Sequence, residues 1–455
     1  MAQPSASVVR NPRFVRLWTA ETISQFGTQV SLIAIPLIGA VVLKVPADQF
    51  ALLGFFEFLP FVLVSLPAGV WVDRLRRRPI LIGGDLIRVL SLLSIPIAYE
   101  LHALSIWQLY IVGFVNGVAT VFFDVAYQSY LPSLVERDQI AEGNSKLEIS
   151  RAAAQIVGPG IGGILVAAVT APVAVVADAV SFVVSAVTIF FIRQAEPPIV
   201  PQPKGQRPSM AREAREGLAY VAGSRYLRMI AGSTGTSNLF GNVLYSILIL
   251  YMVNVLLMGP EQIGFVFGAG SVGPLLGAVV ANGVARRIGV GRTIVASAFL
   301  SGPSTLLVAV APRSQAAIPF LVASGVVGGF GSMVYNINQV SFRQAITPPR
   351  MQGRMNATMR FVVWGTIPLG QILGGQIAAR TTLSTAIWVG AIGSFLAFLF
   401  VLFSPVRSLR IIPEPVGDEG VMAEAETGVS GGGAALDERA DQIGSAAPRP
   451  RPSDD

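Results

Sequence analysis

Several acidic side chains lie within long apolar stretches of this chain, where an unpaired carboxylate is costly and is rarely kept without a function. Glu57 lies in the stretch Phe50–Val72, and Glu21 lies near the start of the stretch Leu17–Leu43. A carboxyl group in apolar surroundings can bind a proton and release it when its exposure to water changes. We therefore expect Glu57, and after it Glu21, to bind a proton or a cation. The alternatives are that Glu57 is a hydrogen-bonded packing residue and that Glu21 reaches a polar boundary.

A second group of charged residues in apolar stretches is better explained by structure than by chemistry. Asp85 and Arg88 are three residues apart, so on a helix they lie on one face and can neutralise each other. A buried acid that is paired or hydrogen-bonded stabilises packing and requires no ligand. We interpret Asp85 and Arg88 as a structural ion pair, and we give Asp178 a structural role as well.

Amide side chains in the second half of the chain have two possible roles. They could line a polar cavity that binds a ligand, or they could hold neighbouring helices together by hydrogen bonds within an apolar surrounding. The sequence alone leaves both roles open. These amides are Asn238, Asn242, Asn336, Asn338, Gln339 and Gln371.

Several kinds of chemistry are excluded by composition. Cysteine is absent and His102 is the only histidine, so thiolate sites and multi-histidine metal sites cannot form. No lysine follows a glycine, so the phosphate-binding Gly-Lys-Ser/Thr motif of P-loop ATPases is missing. No nucleophile–base pair is visible either. We therefore expect a protein that is not an enzyme and has neither metal nor cofactor, with a proton gradient as its energy source.

The elements that position these residues are predicted by hydropathy. The chain has 455 residues, of which 52% are hydrophobic and 13% are charged, and this balance is typical of a polytopic membrane protein. The net charge of +7 is best explained by arginines in loops that face anionic lipid, and not by nucleic-acid binding. The expected partners are the lipid bilayer and a small-molecule substrate, and we expect a monomer.

Apolar stretches of about 20 residues, the length that crosses a bilayer, recur along the chain. They predict an all-α membrane protein with twelve transmembrane helices. Basic residues lie almost entirely on one side, and such an excess marks the cytoplasm. We therefore expect both termini in the cytoplasm, and the arginine- and alanine-rich composition suggests a bacterial inner membrane. The predicted helices are Leu17–Leu43, Phe50–Val72, Ile80–Tyr99, Trp107–Tyr127, Ile149–Val169, Val173–Ile192, Met229–Val253, Ile263–Ala285, Thr293–Ala311, Ile318–Val340, Ala357–Ala379 and Thr385–Phe403.

Breaks in hydropathy predict five parts of the chain. Residues 1–16 form a cytoplasmic tail, and residues 17–192 form a first six-helix bundle. Residues 193–228 are a cytoplasmic linker that starts with prolines and continues as an interfacial helix. Residues 229–405 form a second six-helix bundle. Residues 406–455 are rich in Gly, Ala, Asp and Glu and are expected to be a disordered cytoplasmic tail.

The two predicted bundles are copies of one another. Residues of the same type recur in the same order in both halves, and the difference in residue number between matching residues changes only once, by a small amount. Because each half has an even number of spans, the copies run in parallel and a binding site is expected between them. The matching pairs are Phe26 and Phe240, Gly27 and Gly241, Pro60 and Pro274, Gly69 and Gly283, Ser129 and Ser341, Asn144 and Asn356, Gly158 and Gly370, Gly162 and Gly374, and Gly163 and Gly375.

The densest charge cluster lies in the loop Gly69–Pro79, which holds one acid among arginines. The excess of basic residues on the cytoplasmic side of membrane proteins explains the arginines of this loop but does not explain its acid. This loop resembles the loop between the second and third helices of the major facilitator superfamily, although Arg76 stands where that motif has glycine. The residues that carry this resemblance are Gly69, Asp73, Arg74, Arg77 and Arg78.

The resemblance implies two pseudo-symmetric six-helix bundles that expose a site alternately to the two sides of the membrane. It also implies that the loop holds the cytoplasmic face closed in one conformation. Asp124, at the cytoplasmic end of its predicted helix, is expected to accept hydrogen bonds from the loop arginines and belong to the same gate. The alternative is that the loop only marks topology.

Five further segments resemble particular groups within the superfamily. Four of them resemble the enterobactin-exporter and macrolide-efflux branch of the superfamily. The fifth resembles a Gly-Pro-x-x-Gly-Gly motif of its antiporters, in which small residues let a neighbouring helix approach closely. The four branch segments are Ile23–Val30, Glu57–Pro60, Phe123–Tyr127 and Gly353–Ala357. The antiporter-like segment consists of Gly158, Pro159, Gly162 and Gly163.

These resemblances imply a proton-driven antiporter that exports small, partly hydrophobic molecules of the drug, antibiotic or siderophore class. A hydrophobic cavity with few fixed charges would suit such cargo. Two alternatives stay open: a proton-coupled importer of metabolites, and a membrane sensor or assembly partner that keeps the fold without transporting.

Overall fold

The structure is a computed structural model that describes residues 7–72, 75–193, 210–314 and 316–409 of the chain. Within those ranges the regular elements are helices joined by short turns. The first of them, α1, continues into a π-helical turn, Ile38–Val42. The helices are α1 Pro12–Leu37, α2 Ala47–Leu63, α3 Ser65–Val72, α4 Arg77–Glu100, α5 Ile106–Leu134, α6 Ile140–Val169, α7 Ala171–Phe190, α8 Met210–Gly223, α9 Arg225–Asn254, α10 Pro260–Gly270, α11 Val272–Ile288, α12 Val290–Ala309, α13 Ala317–Ala345, α14 Pro349–Arg380, α15 Leu383–Leu396 and α16 Phe398–Leu402.

The described residues contain eleven helical segments that are long and apolar enough to cross a membrane. The twelfth span is α2 followed by α3, which a break at Val64 divides into two helices, each shorter than about 20 residues. Pro67 of α3 contributes to this break, because it lacks the N–H that would bond to the Leu63 carbonyl oxygen. The all-α membrane fold with two six-helix bundles is therefore confirmed.

Two faces of the molecule are used below to describe position. The termini face is the side on which α1 begins and α16 ends, and the far face is the opposite side. Helix α1 begins with Asn11 as its N-cap, whose side-chain oxygen accepts from the N–H of Arg13 at 3.0 Å. The far-face turn between α6 and α7 passes through Thr170 at φ 84°. The termini-face turn between α11 and α12 passes through Gly289 at φ 88°, a conformation that glycine adopts readily.

Equivalent glycines of the two halves pack in equivalent ways. In α6, Gly158 and Gly162 lie against Gln29 and Val30 of α1. In α14, Gly370 and Gly374 lie against α9, which is the counterpart of α1 in the second half. The absence of a Cβ lets these helix backbones approach closely. The repeat seen in the sequence is thus also a repeat of helix contacts.

Buried apolar residues form three clusters, and their positions show how the halves meet. The largest cluster lies toward the far face and joins both halves, with Ile33 and Leu53 from the first half beside Ile247 and Ile263 from the second. The other two clusters lie toward the termini face, and each consists of residues from one half only. In the described part of the chain, the bundles are therefore packed together at the far face and separate at the termini face.

The contact between halves at the far face includes two seams, each a place where the backbones of helices from different halves touch. In the first, Gly163 and Pro159 of α6 face Gly264 of α10; a Cβ on Gly264 would lie 2.4 Å from the Pro159 carbonyl oxygen. In the second, Gly375 of α14 lies against α2, where its Cβ would be 2.6 Å from the Ala51 Cβ. Both seams depend on glycine at positions where two helices touch.

The short helix α8 lies in the predicted linker and packs on α14. Glu216 of α8 forms an ion pair with Arg354 at 2.7 Å, and Gly217 lies against the Arg354 carbonyl oxygen. Arg354 belongs to the segment Gly353–Ala357 that carries part of the family resemblance. That segment therefore holds the linker helix against the second bundle.

Candidate functional site

A cavity of about 710 Å³ lies within the second bundle, between its midplane and the termini face. It is bounded by α9, α11, α12, α13, α14 and the last helices of the chain, and its wall carries both amides and aromatic rings. The size suits a drug-like molecule. Three of the six predicted amides, Asn238, Asn336 and Gln339, line it.

The three other predicted amides do not line this cavity. Asn242 and Asn338 each donate to the backbone carbonyl oxygen four residues earlier on their own helix, at 2.8 Å. Gln371 is buried at the seam, where its amide group lies against Gly54 of α2. These three amides therefore serve helix packing, whereas Asn238 and Asn336 face the cavity.

The cavity wall is more polar than the sequence suggested. Arg343 near the end of α13 and Arg360 in α14 both line it, and in the described part of the chain no aspartate or glutamate does. Thr234 and Tyr335 hydrogen-bond to each other at 2.9 Å in the same wall. The Oε1 atom of Gln339 is buried and has no hydrogen-bond partner among the described residues. The wall therefore offers both donors and acceptors to a ligand.

Glu57 lies near the middle of the α2–α3 span and is half-buried. Its backbone lies against Gly113 and Gly117 of α5. Among the described residues, its carboxylate makes no hydrogen bond and no ion pair. Phe61, one turn further along α2, packs on Trp364 of the cavity wall with ring centroids 5.1 Å apart. Glu57 is therefore an unpaired acid one helical turn, about 6 Å, from a residue that contacts the cavity wall.

Glu21 is buried in the first bundle with only 5% of its surface exposed. One carboxylate oxygen accepts from Gln25 at 2.7 Å, and the other has no partner among the described residues. The hydroxyl of Tyr127 is likewise buried without a hydrogen-bond partner. Glu21 therefore faces the protein interior and does not reach the membrane boundary.

Asp85 and Arg88 form a buried ion pair at 2.6 Å. The Arg88 guanidinium group lies between two aromatic rings, 4.4 Å from the centroid of Phe123 and 4.1 Å from that of Phe182. This arrangement adds cation–π attraction to the ion pair. The geometry is that of a packing element of the first bundle.

Asp178 is the third buried acid of the first bundle and joins two of its helices. Its carboxylate accepts from Ser31 of α1 at 2.5 Å and from Ser181 at 3.3 Å. Gly27 allows the close approach of α1, since a Cβ there would lie 2.8 Å from an Asp178 oxygen. Asp178 therefore connects α1 to α7 by a side-chain hydrogen bond.

We predict that Arg88→Ala lowers the stability of the folded protein strongly. The change leaves the buried Asp85 carboxylate without its partner, and breaking a buried pair costs about 3–5 kcal/mol. The matched control is Arg151→Ala, whose pair with Glu148 is exposed and should contribute about 0–1 kcal/mol. Heating in detergent followed by size-exclusion chromatography gives the two midpoints, and equal midpoints would contradict the structural role.

The predicted gate is described only in part. Asp73 and Arg74 lie outside the described residues. Gly69 has open space where a Cβ would be, so it makes no close contact in this state. Arg78 donates to the carbonyl oxygen of Phe190 at the end of α7 and lies 5.3 Å from that ring.

The remaining residues of the predicted gate also lie in the first bundle. Arg77 begins α4, next to Arg78. Asp124 of α5 is half-buried and, in the described ranges, accepts no hydrogen bond from the loop arginines. The contact of Arg78 with Phe190 lies within the first bundle. The gate role of this group stays a prediction.

The sequence did not identify several polar and aromatic residues of the cavity wall, among them Tyr335, Arg343, Arg360 and Trp364. Both arginines had been attributed to membrane topology, although Arg360 lies inside the predicted helix Ala357–Ala379. A signal was present in the spacing, because Asn336, Gln339 and Arg343 recur at intervals of three and four and so share one helix face.

Comparison with known proteins agrees with this architecture. The chain is 23% identical over 410 residues to macrolide efflux protein A of Streptococcus pyogenes, with 88% of this chain and 96% of that protein covered. It is 25% identical over 368 residues to the multidrug efflux pump Tap of Mycolicibacterium fortuitum, with 78% and 87% covered.

Solved structures share the fold. A bacterial homologue of the iron transporter ferroportin, in an inward-facing state, superposes with a TM-score of 0.73 at 15% identity, covering 89% of this chain and 100% of that chain. The nucleoside transporter NupG gives 0.70 at 14% identity, covering 86% and 99%. Residues 4–414 also match the family described as transmembrane secretion effectors. The chain therefore belongs to the transmembrane secretion effectors of the major facilitator superfamily, and it is a transporter and not an enzyme.

Proposed function

We propose that this protein exports small, partly hydrophobic molecules across the bacterial plasma membrane by exchanging them for protons. The termini face is the cytoplasmic face in this proposal. The observation that carries it is Glu57, an acid without an ion-pair or hydrogen-bond partner in the described chain, one turn from the Phe61–Trp364 contact with the cavity. The names of the relatives as macrolide and multidrug efflux proteins support export.

In the proposed cycle, the structure represents the state that receives cargo. The glycine seams close the far face, and the separate bundles at the termini face leave the cavity open to the cytoplasm. The loop with Asp73 and its arginines would close the termini face in the opposite state. Glu57 would bind a proton when the site faces outward and release it to the cytoplasm, so that the return of the empty carrier is driven by the gradient.

The proton gradient supplies enough free energy for this task. One charge moving through a membrane potential yields about 2.3 kcal/mol per 100 mV, which corresponds to a concentration ratio of about fiftyfold. A single proton per molecule of cargo therefore supports useful export. No second energy source is required in this proposal.

The experiment is a drug-susceptibility panel in a bacterial host that lacks its main efflux pumps. Overexpression should raise the inhibitory concentrations of some compounds, and a protonophore should abolish the increase. Glu57→Gln should lose the resistance, whereas Glu100→Gln, at the exposed end of α4, should keep it. Resistance that survives the protonophore would contradict proton coupling. Proton-driven uptake of a compound into cells would instead identify an importer.

A further inference from the structure

The charges of the cavity wall are of one sign. Arg343 and Arg360 lie on α13 and α14, which a short turn connects at the termini face. Neither side chain has a hydrogen-bond or ion-pair partner among the described residues, and the Nε atom of Arg343 is buried. The titratable groups in electrostatic range of Arg343 are Tyr335 and Arg360, so a second cation is its charged neighbour.

Two like charges beside one cavity are unfavourable unless a counter-charge neutralises them. Their repulsion grows where the surroundings are less polarisable than water, as they are between helices in a membrane. Guanidinium groups bind carboxylate, sulfonate and phosphate oxygens with paired, charge-assisted hydrogen bonds. The described part of the wall supplies no acid and Arg360 is exposed, so the counter-charge comes from a bound ligand or from ions in the solvent.

A second observation indicates that the wall is built to receive a ligand. Gln339 is 2% exposed, lines the cavity, and leaves its Oε1 atom without a partner, while its amide nitrogen donates to Asn336 at 3.1 Å. Buried amide oxygens are normally hydrogen-bonded, so this one awaits a donor. Trp364 and Phe398 supply apolar surface in the same wall.

We propose that the cavity is a subsite for the anionic end of an amphiphilic cargo molecule. Arg343 and Arg360 bind its carboxylate, sulfonate or phosphate group, Gln339 accepts from a neutral donor of the cargo, and its apolar body lies on Trp364 and Phe398. This inference rests on the proposed export function and gives it a substrate class: amphiphilic anions and zwitterions in preference to simple cations.

The test uses two dyes that share one fluorophore but differ in charge. Dansylglycine carries a carboxylate and dansylcadaverine carries an ammonium group, and each is titrated into the purified full-length protein in detergent. We expect the wild type to bind dansylglycine more tightly. Arg343→Gln and Arg360→Gln should each weaken dansylglycine about tenfold and leave dansylcadaverine unchanged, in line with the usual contribution of a charge-assisted hydrogen bond.

Controls separate the loss of charge from the loss of fold. Arg343→Lys and Arg360→Lys keep the charge but lose the paired hydrogen bonds, so they should bind dansylglycine more tightly than the glutamine variants and less tightly than the wild type. Arg286→Gln and Arg287→Gln remove exposed charges from another turn of the same bundle and should have no effect. Wild-type protein that prefers dansylcadaverine, or dansylglycine binding that is indifferent to both arginines, would overturn the subsite.

Two further arms identify the ligand and the source of failure. In nanodiscs, phosphatidylglycerol should leave dansylglycine binding unchanged; competition through the same arginines would show that the site holds a lipid headgroup and would overturn the cargo assignment. If dansylglycine binding depends on the arginines but transport does not depend on the proton gradient, the proposed export mechanism is wrong and the subsite is supported. If transport is driven by protons but binding does not depend on the arginines, the subsite is wrong and the export mechanism is supported.

Discussion

Gly264→Val is expected to reduce transport by more than tenfold and to hold the far face open. Gly264 lies where α10 meets α6, and a Cβ there would be 2.4 Å from the Pro159 carbonyl oxygen and 2.9 Å from the Gly163 Cα. Overpacking such a contact costs about 1–3 kcal/mol, enough to shift a two-state equilibrium about 5- to 150-fold. The cost applies only to the state in which the seam is closed, so the protein can still fold in the other state.

The matched control is Gly160→Val. Gly160 lies within the antiporter-like segment of α6 that Gly264 contacts, but at a position where a Cβ meets nothing within 4 Å. It should transport nearly as well as the wild type. A second seam variant, Gly163→Val, would place its Cβ 2.5 Å from the Pro260 carbonyl oxygen and should resemble Gly264→Val. Full activity in both seam variants would show that far-face closure does not need this contact.

The conformational part of the prediction is measured by distances between spin labels. The chain has no cysteine, so two introduced cysteines are the only labelled sites. His102→Cys with Arg313→Cys reports the far face, and Arg137→Cys with Arg287→Cys reports the termini face. In Gly264→Val the far-face distance should lengthen and the termini-face distance should shorten. If transport is lost while both distances stay unchanged, the loss of transport has a cause other than the opening of the far face.

Glu57→Gln is expected to uncouple transport from protons. The substitution keeps the size and polarity of the side chain but removes its ability to bind and release a proton. Coupling free energies between two ligands are typically about 1–3 kcal/mol, so the substrate gradient at steady state should fall about 5- to 150-fold. Exchange of substrate for substrate, which needs no proton step, should continue.

The dependence on pH follows from the same argument. In membrane vesicles with the termini face outward, wild-type accumulation should rise as the lumen is made more acidic, whereas Glu57→Gln should show no such rise. Glu21→Gln serves as a comparison, because Glu21 already accepts a hydrogen bond from Gln25, whereas Glu57 makes none among the described residues. If Glu21→Gln alone removes the pH dependence, the proton site belongs to Glu21 and not to Glu57.

Much of the architecture could be predicted from the sequence, because local sequence patterns determine the helices and their repeat. Apolar stretches of membrane length indicate the spans directly, and the matched glycines of the two halves indicate the repeat. The division of the second span at Val64 was not predicted, since hydropathy reports the length of an apolar stretch and is insensitive to a break near Pro67. Short-range patterns therefore gave the elements but not their interruptions.

The candidate site was predictable only in part. Glu57 stood out because an acid is conspicuous in an apolar stretch, but Arg343 and Arg360 were hidden among arginines that topology already explained. The pairing of Gly163 with Gly264 was out of reach for a different reason. It joins the two halves in the present conformation and opens in the other state of the proposed cycle, and a single sequence does not say which conformation a contact belongs to.

The most direct test of proton-coupled export is made in proteoliposomes with the termini face outward and a pH-sensitive dye in the lumen. With an acidic lumen, adding substrate outside should drive its accumulation inside and raise the lumenal pH at the same time in the wild type, and neither should happen with Glu57→Gln. Substrate that accumulates against its gradient without any movement of protons, or equally well in Glu57→Gln, would contradict the account.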